Sequence, residues 1–452
     1  MAGLCGNNLD VNMGVTALYH TFGCKLNFAE TATIEDMMAQ RGIRAVGKGD
    51  VPDIIAINSC SVTETADRKC RQYIRSMHRR YPEAAIIVTG CYAQLHGEDI
   101  AAMDGVAVVV GNDKKLRIVQ YAENLQRERL MHQYDIIPSA QIRDFEPSCS
   151  RGDRTRFFLK VQDGCNYWCT YCTIPKARGR SRSGTISQVV EQARAAAAAG
   201  ASEIVITGVN IGDFGRGTSE TFFDLVKALD TVEGISRYRI SSIEPNLITD
   251  EIIDWCASEA KRFMPHFHIP LQSGSDEMLR LMRRHYDTEL FASKVEHIRR
   301  VIPGAFIGID LIVGMRGETD ALFEQSFDFC KSLDISRLHL FTYSERPGTR
   351  ALEIEYAVPP TVQHERMQRM LTLSRDKMTA FASRFIGRTR PVLLEHQRGG
   401  RAMSGFTDNY LKVHIPGAPS GLDNKIVPVR LDSVIEDSRD SEECSFMGTL
   451  MI

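Results

Sequence analysis

Cys165, Cys169 and Cys172 stand in the run Gly164-Cys165-Asn166-Tyr167-Trp168-Cys169-Thr170-Tyr171-Cys172. This CxxxCxxC spacing supplies three thiolates where a four-iron cluster ordinarily takes four, which leaves one iron open to a small molecule. The pattern therefore describes a reaction centre more readily than a structural staple. A zinc site with a borrowed fourth ligand is the competing reading. Zinc ligands come as paired CxxC halves or as Cys with His at set spacings, and no such partner motif follows.

A second set of cysteines is spread over the first part of the chain. Strand-like runs at 17–22, 53–58, 85–89 and 106–110 alternate with helical patterns at 29–41 and 65–81, which predicts an open parallel α/β domain. Cys24, Cys60 and Cys91 each follow one of the first three strands. Carboxyl edges of neighbouring parallel strands line one crevice, so three thiolates there can converge on a single metal centre. Three separate buried cysteines is the plainer alternative. Residues 116–134 read as a charged helix, and 136–155, with Pro138, Pro147 and Gly152, as a linker.

The middle of the chain must position the first cysteine set. Six β-branched runs (157–161, 203–207, 238–243, 266–271, 306–313, 337–343) alternate with helical patterns at 188–199, 222–232, 251–260 and 322–333. Strands alternating with helices predict a parallel sheet with right-handed crossovers, and six units suit a partial (β/α)6 barrel better than a closed eight-stranded one. Cys165 then lies just past the first strand, at the carboxyl end where such folds gather their chemistry. Near Arg388 the pattern changes to short segments at 389–396, 402–414, 426–433 and 445–452, divided by Gly and Pro turns. They predict a small antiparallel β-barrel. The expected units are 1–140, 150–385 and 387–452.

Composition bounds the function classes. A chain of 452 residues with 43% hydrophobic and 25% charged residues is that of an ordinary globular protein. A formal net charge of −2 demands no polyanionic partner, so nucleic-acid contacts have to be local. Twelve cysteines are too sparse for a disulfide scaffold and suit metal ligation in a reducing compartment. Neither a signal peptide nor an apolar stretch of membrane-spanning length is read from the sequence. The expectation is a cytoplasmic protein with no membrane partner.

Cys24, Cys60 and Cys91, then CxxxCxxC, then a small terminal β-barrel resemble the radical S-adenosylmethionine (SAM) methylthiotransferase family across essentially the whole chain. Matching phrases include Thr207-Gly208-Val209-Asn210, Ser241-Ser242-Ile243-Glu244-Pro245, Pro270-Leu271-Gln272-Ser273-Gly274 and Ser344-Glu345-Arg346-Pro347-Gly348-Thr349. Arg316 stands where members commonly carry proline. Within the family, Cys24-Lys25-Leu26-Asn27 is most similar to the branch acting on threonylcarbamoyladenosine in tRNA. The isopentenyladenosine branch tends to read Cys-Gln-Met-Asn there, and the branch modifying a ribosomal-protein aspartate Cys-Pro-Lys-Asn.

The resemblance implies two [4Fe-4S] clusters, one on Cys165, Cys169 and Cys172 and the other on Cys24, Cys60 and Cys91. It implies SAM as cofactor, a reducing electron donor, and a tRNA anticodon stem-loop as substrate. Two SAM would be used: one donates methyl to sulfur on the auxiliary cluster, and one yields the radical that abstracts hydrogen from carbon 2 of adenine. That C–H bond is not acidic, so acids and bases alone would not suffice. Tyr171, Thr207, Gly208, Val209, Glu244 and Gln272 are the implied SAM contacts, with no further catalytic side chain beyond the clusters. Ordinary packing, or satisfaction of loop backbone groups, is the competing role for Tyr171, Glu244 and Gln272. Candidate RNA contacts are Lys25 and Asn27 beside Cys24, and Lys176, Arg178, Arg180 and Arg182 after the cluster loop, where basic groups anchor phosphates. Arg68, Arg71, Arg75 and Arg79 share a helix face that reads more readily as solvated. The terminal barrel, TRAM-like by resemblance, offers Arg398, Arg401, Tyr410 and Lys412. The rival from another class is a non-catalytic zinc protein that binds RNA through that barrel.

Overall fold

The computed structural model describes residues 14–47, 49–127, 133–150, 155–395, 403–436 and 444–451. Its first unit is a six-stranded, wholly parallel sheet: β1 (Thr16–Thr21), β2 (Arg44–Ala45), β3 (Ile54–Ser59), β4 (Ala85–Gly90), β5 (Val106–Val110) and β6 (Gln133–Asp135), in the order β2-β1-β3-β4-β5-β6. β3 and β5 are buried along their whole length, as strands covered by helices on both faces must be. The helices α1 (Lys25–Ala39), α2 (Glu64–Arg80) and α3 (Cys91–Leu95) follow β1, β3 and β4. The edge strands β2 and β6 carry too few apolar residues to be seen as strands. The expected helix over 116–134 is helical at Ile118–Arg127, and Tyr134 lies in β6.

Six parallel strands form the middle unit: β8 (Arg156–Lys160), β11 (Glu203–Thr207), β12 (Arg237–Ile240), β13 (His266–Gln272), β14 (Phe306–Val313) and β15 (Arg337–Thr342). Each begins within one residue of its expected start. β7 (Ser148–Cys149) pairs antiparallel with β8, and β9 (Gln162–Asp163) with β10 (Arg182–Ser183) beside the cysteine loop. The sheet continues from β12 to β13 only through the single bridges Tyr238↔Phe263 and Ser242↔His268, so the barrel is open and curved. One hydrophobic core runs from Phe157 on β8 through Ile206, Ile240, Ile269 and Ile309 to Leu338 on β15.

The last unit is a closed barrel of β16 (Thr389–Leu394), β17 (Met403–Thr407), β18 (Lys412–Ile415), β19 (Ile426–Glu436) and β20 (Cys444–Leu450). All its pairings are antiparallel except β18 with β20. The expected segment 402–414 folds as two strands because the chain reverses at Tyr410, whose φ is +68°. This barrel caps the amino ends of the middle strands. Arg237 donates to the Pro391 and Phe406 carbonyls at 2.8 and 3.1 Å, and Arg239 to the Thr407 and Asp408 carbonyls at 2.9 and 2.7 Å.

Candidate metal centres and the interface between them

Cys165 follows β9 through Gly164, whose φ is +66°; a Cβ there would lie 2.1 Å from the Arg180 carbonyl oxygen, so only glycine fits. The three thiols of this loop receive donors from three sources. Tyr167 N–H points to Cys165 Sγ at 3.3 Å, Ile174 N–H to Cys172 Sγ at 3.4 Å, and Arg284 Nη1 to Cys169 Sγ at 3.0 Å. Burial pushes the Cys165 and Cys172 thiols up to about 12. Without a cation they are therefore neutral thiols, whereas bound iron would hold them as thiolates.

The second triad forms at the carboxyl edge of the first sheet. β1, β3 and β4 are adjacent, and Cys24 caps α1, Cys60 follows β3 and Cys91 opens α3. Gly23, at φ +92°, presses against Cys60: a Cβ would meet Cys60 Sγ at 2.6 Å. Burial, then the neighbouring Cys91, raises the Cys60 thiol to about 12. Arg178 Nε donates to Cys91 Sγ at 3.3 Å. Among the described residues no three His, Cys, Asp or Glu side chains stand close enough to hold a single metal ion. Two all-thiol triads suit cubane clusters, which spread their cysteines over different irons, better than one tetrahedral zinc.

The two triads approach each other across the short helix Ile174–Arg178. Cys172 lies two residues before its start, and Arg178, its last residue, touches Cys91; the helix rises only about 6 Å. Around Arg178 is a buried charge network. Its Nη1 donates to Glu30 at 3.1 Å and Asp163 at 2.9 Å, and its Nη2 to Asn27 Oδ1 at 2.6 Å. Lys160 reaches Glu30 at 2.9 Å and Asp163 at 2.8 Å, Lys115 pairs with Glu30, and Arg182 meets Asp163 at 3.1 Å. Burial alone would raise the Glu30 carboxyl, but Arg178, Lys115 and Lys160 hold it well below the usual carboxylate range.

This network corrects the expected RNA set. Asn27 and Arg178 are buried and bonded to one another, and Arg182 is committed to Asp163 and to backbone carbonyls, so these three join the units instead of facing a phosphate. Lys176 and Arg180 are exposed. Tyr410 is also turned inward: it packs on His266 and Phe306 and accepts from Arg156. Arg398 and Arg401 lie outside the described residues. On α2, Arg68, Arg75 and Arg79 are exposed, while Arg71 donates to Tyr92 at 2.8 Å.

The implied SAM contacts gather at the rim. Gly208 lets the chain pass close to β9, since a Cβ would lie 2.9 Å from the Gln162 carbonyl. The N–H groups of Val209 and Asn210 are already taken by Gln162 Oε1 at 3.0 and 2.7 Å, and the Thr207 carbonyl by Val161 N–H at 2.9 Å. The Gly208 and Val209 carbonyl oxygens remain among the groups that a ligand could meet there. Glu244 is ion-paired with Arg284, which also lies 3.5 Å from the Tyr171 hydroxyl. Gln272 sits after a bulge in β13 with φ +67°, a left-handed conformation costing about 1–3 kcal/mol in a non-glycine residue. It lines a cavity of about 210 Å³ together with Tyr171, Asp310 and Phe341.

Several site residues escaped the sequence reading. Asp163 directly precedes the Gly164-Cys165 turn and was findable from that position. Glu30, Lys115, Lys160 and Arg284 carry no local signal, because only the docking of separate segments unites them. Arg346, within the Ser344–Thr349 phrase, is buried and clamps the first unit to the barrel through Asp67 at 2.6 Å and Ser61 at 2.7 Å. Arg316 ties its loop to Glu345 at 2.6 Å and the Ile354 carbonyl at 2.8 Å.

Comparison with known proteins agrees with this layout. The model described as uncharacterized protein family UPF0004 matches residues 16–111, and that of the radical SAM superfamily matches 159–330. A threonylcarbamoyladenosine tRNA methylthiotransferase, MtaB, of Bacillus subtilis is 38% identical over 92% of this chain and 93% of its own. Its namesake in Thermotoga maritima is 34% identical over 93% and 95%. A tRNA-2-methylthio-N(6)-dimethylallyladenosine synthase of Syntrophotalea carbinolica is 30% identical over 93% and 98%. Among solved structures, the radical SAM methyltransferase TsrM of Kitasatospora setae superposes with a TM-score of 0.54 at 13% identity, covering 73% of this chain and 72% of that one, a likeness of fold alone.

Proposed function

The chain belongs to the radical SAM tRNA methylthiotransferase family, and from that premise we propose that it adds a methylthio group to carbon 2 of threonylcarbamoyladenosine beside the anticodon. The observation that carries the reading is the pair of three-cysteine sites facing each other across one short helix. When bound, [4Fe-4S] clusters and SAM supply one-electron cleavage chemistry at one site and sulfur at the other. Cys165, Cys169 and Cys172 would hold the first cluster, and Cys24, Cys60 and Cys91 the auxiliary one.

The chain's own residues hold these centres in register. Glu244 and Arg284 orient the cluster loop from the barrel side, with Tyr171 and Gln272 at the rim where SAM and base would meet. Glu30, Lys160, Asp163 and Arg178 lock the first unit (1–140) onto the second (150–385) and exclude water between the triads. Exposed Lys176 and Arg180 are the phosphate contacts nearest the mouth, while the terminal barrel (387–452) takes the flanking stem. The substrate is tRNA, reached through its anticodon stem-loop, and a reducing donor supplies the electrons. No helix among the described residues is long and apolar enough to cross a membrane; the cytoplasmic setting belongs to the proposal because that is where a tRNA substrate would be met.

Mass spectrometry of tRNA nucleosides from cells with and without this chain tests the reading. Loss of 2-methylthio-threonylcarbamoyladenosine alone is expected on deletion. Loss of the isopentenyl counterpart instead would move the chain to the sister branch.

A further inference from the structure

Electrons have to reach Cys165, Cys169 and Cys172 while substrate and SAM occupy the rim, so they enter through a face that the substrate leaves free. A depression of about 370 Å³ offers such a face. It is lined by Asn166, Trp168, Arg283, Arg284 and His285, and it shares no residue with the cavity of Tyr171, Gln272, Asp310 and Phe341. The cysteine loop itself forms one wall. Thr170 donates through its N–H to the Met282 carbonyl at 3.1 Å and through its hydroxyl to the Leu281 carbonyl at 2.8 Å, which ties the loop to the end of the helix Asp276–Met282. Arg284 reaches Cys169 Sγ at 3.0 Å, and His285 stacks on Tyr167 with ring centroids 4.0 Å apart. A single side chain, Arg284, therefore separates this depression from a thiol.

Two groups at its edge are built for a partner. Trp168 is 56% exposed, although an indole gains much from burial. Arg283 ends the helix at φ +57°, the left-handed position where glycine fits at least cost. Its side chain is exposed, and among the described residues the guanidinium has no hydrogen-bond or ion-pair partner. No carboxylate is among the lining residues, and the charge of Arg284 is matched from behind by Glu244. An exposed indole beside an unpaired cation is the pairing that anchors protein interfaces, and it calls for an acidic partner.

We propose that this depression is the docking surface of a small acidic electron-carrier protein, with Trp168 and Arg283 as its anchors. The idea rests on the functional reading above and adds the surface through which the donor acts. The reduced carrier loses one electron, and the cluster on Cys165, Cys169 and Cys172 gains it; no bond forms or breaks, and no proton crosses the interface. Tunnelling weakens steeply with distance, and Arg284 bridges the depression and Cys169 directly. Electron-transfer partners meet through small, transient interfaces, below about 1,200 Å² in total, so a patch of this size suffices. The cations on the substrate side are different ones: Lys176 and Arg180 are exposed, and Lys25 is half-buried at the start of α1.

The test uses the full-length, cluster-loaded protein under anaerobic conditions, with an acidic flavodoxin as the carrier. Arg283→Gly removes the guanidinium at a φ that glycine prefers, and Trp168→Ala removes the indole; iron content checks that each variant is assembled. Each should bind flavodoxin about tenfold more weakly than wild type and be reduced by it correspondingly more slowly, and wild-type affinity should fall as salt rises. Reduction by dithionite, which needs no docking, and affinity for an anticodon stem-loop bearing threonylcarbamoyladenosine should keep their wild-type values. Wild-type protein that does not bind flavodoxin, or variants that bind it as well as wild type, overturn the proposal. Variants that lose the stem-loop instead also overturn it and make the depression an RNA surface. Methylthiolation of the stem-loop by wild type with dithionite as reductant upholds the functional reading whatever flavodoxin does, and its failure refutes that reading.

Discussion

Replacing Glu30 with glutamine should destabilise the chain more than any single exposed change. Glu30 accepts from Lys160 at 2.9 Å, Arg178 at 3.1 Å and Lys115, and all four side chains are 5% exposed or less. The amide keeps the volume but removes the charge, leaving Lys160 and Arg178 with Asp163 as their remaining ion-pair partner and Lys115, among the described residues, with no carboxylate partner. Removing one partner of a buried ion pair costs about 3–5 kcal/mol, and three cations depend on this carboxylate, so the upper half of that range is expected. Anaerobic urea denaturation of cluster-free protein measures the loss without interference from iron. Because the native carboxyl is held far below its ordinary value, the deficit should be fully present at neutral pH and shrink only well into acid. A loss under about 1 kcal/mol, or one that vanishes near neutrality, would show that the network does not hold the units together.

Other consequences are open to measurement. Gly23→Ala puts a methyl against Cys60 Sγ at a φ of +92°; it should cost about 1–3 kcal/mol of strain and lower iron bound at the auxiliary site, with the loop of Cys165, Cys169 and Cys172 still loaded. Cys24→Ala should abolish sulfur insertion while SAM cleavage largely persists; equal loss of both would refute separate roles for the two triads. Burial holds His20 and His266 below their ordinary value and, reinforced by His268, pushes His339 down to about 3. Each takes up its proton more readily after unfolding, so stability is complete above about pH 6.5 and falls as pH drops, by at most about 1.4 kcal/mol per unit for each ring. Denaturation midpoints constant from pH 7 to 5 would contradict that.

The places of both cysteine sets just past strand ends, the six middle strands and the order of the three parts were legible because each rests on local pattern: β-branched runs, turn residues and the spacing of cysteines along the chain. Cys60 and Cys91 needed only the rule that parallel strands end on one edge. The basic run Lys176–Arg182 was misjudged in part for a physical reason. Alternating charges after a loop look solvated, yet the helix Ile174–Arg178 turns Arg178 inward and leaves Lys176 and Arg180 outside. Its acidic partner Glu30 lies 148 positions away, on a helix whose docking no local rule foretells. Edge strands β2 and β6 are likewise made by their neighbours.

The terminal barrel is bolted by Arg156, Arg237 and Arg239 to the opposite end of the strands from the cysteine-bearing loops. Eight-residue β14 alone spans about 26 Å, so that is roughly the drop between the two ends. A nucleic acid gripped at both levels has to drape down the flank like a strap over a drum, its length gauged by a fixed offset. Fragments too short to make that descent would lose one handhold entirely, however well their base suits the mouth.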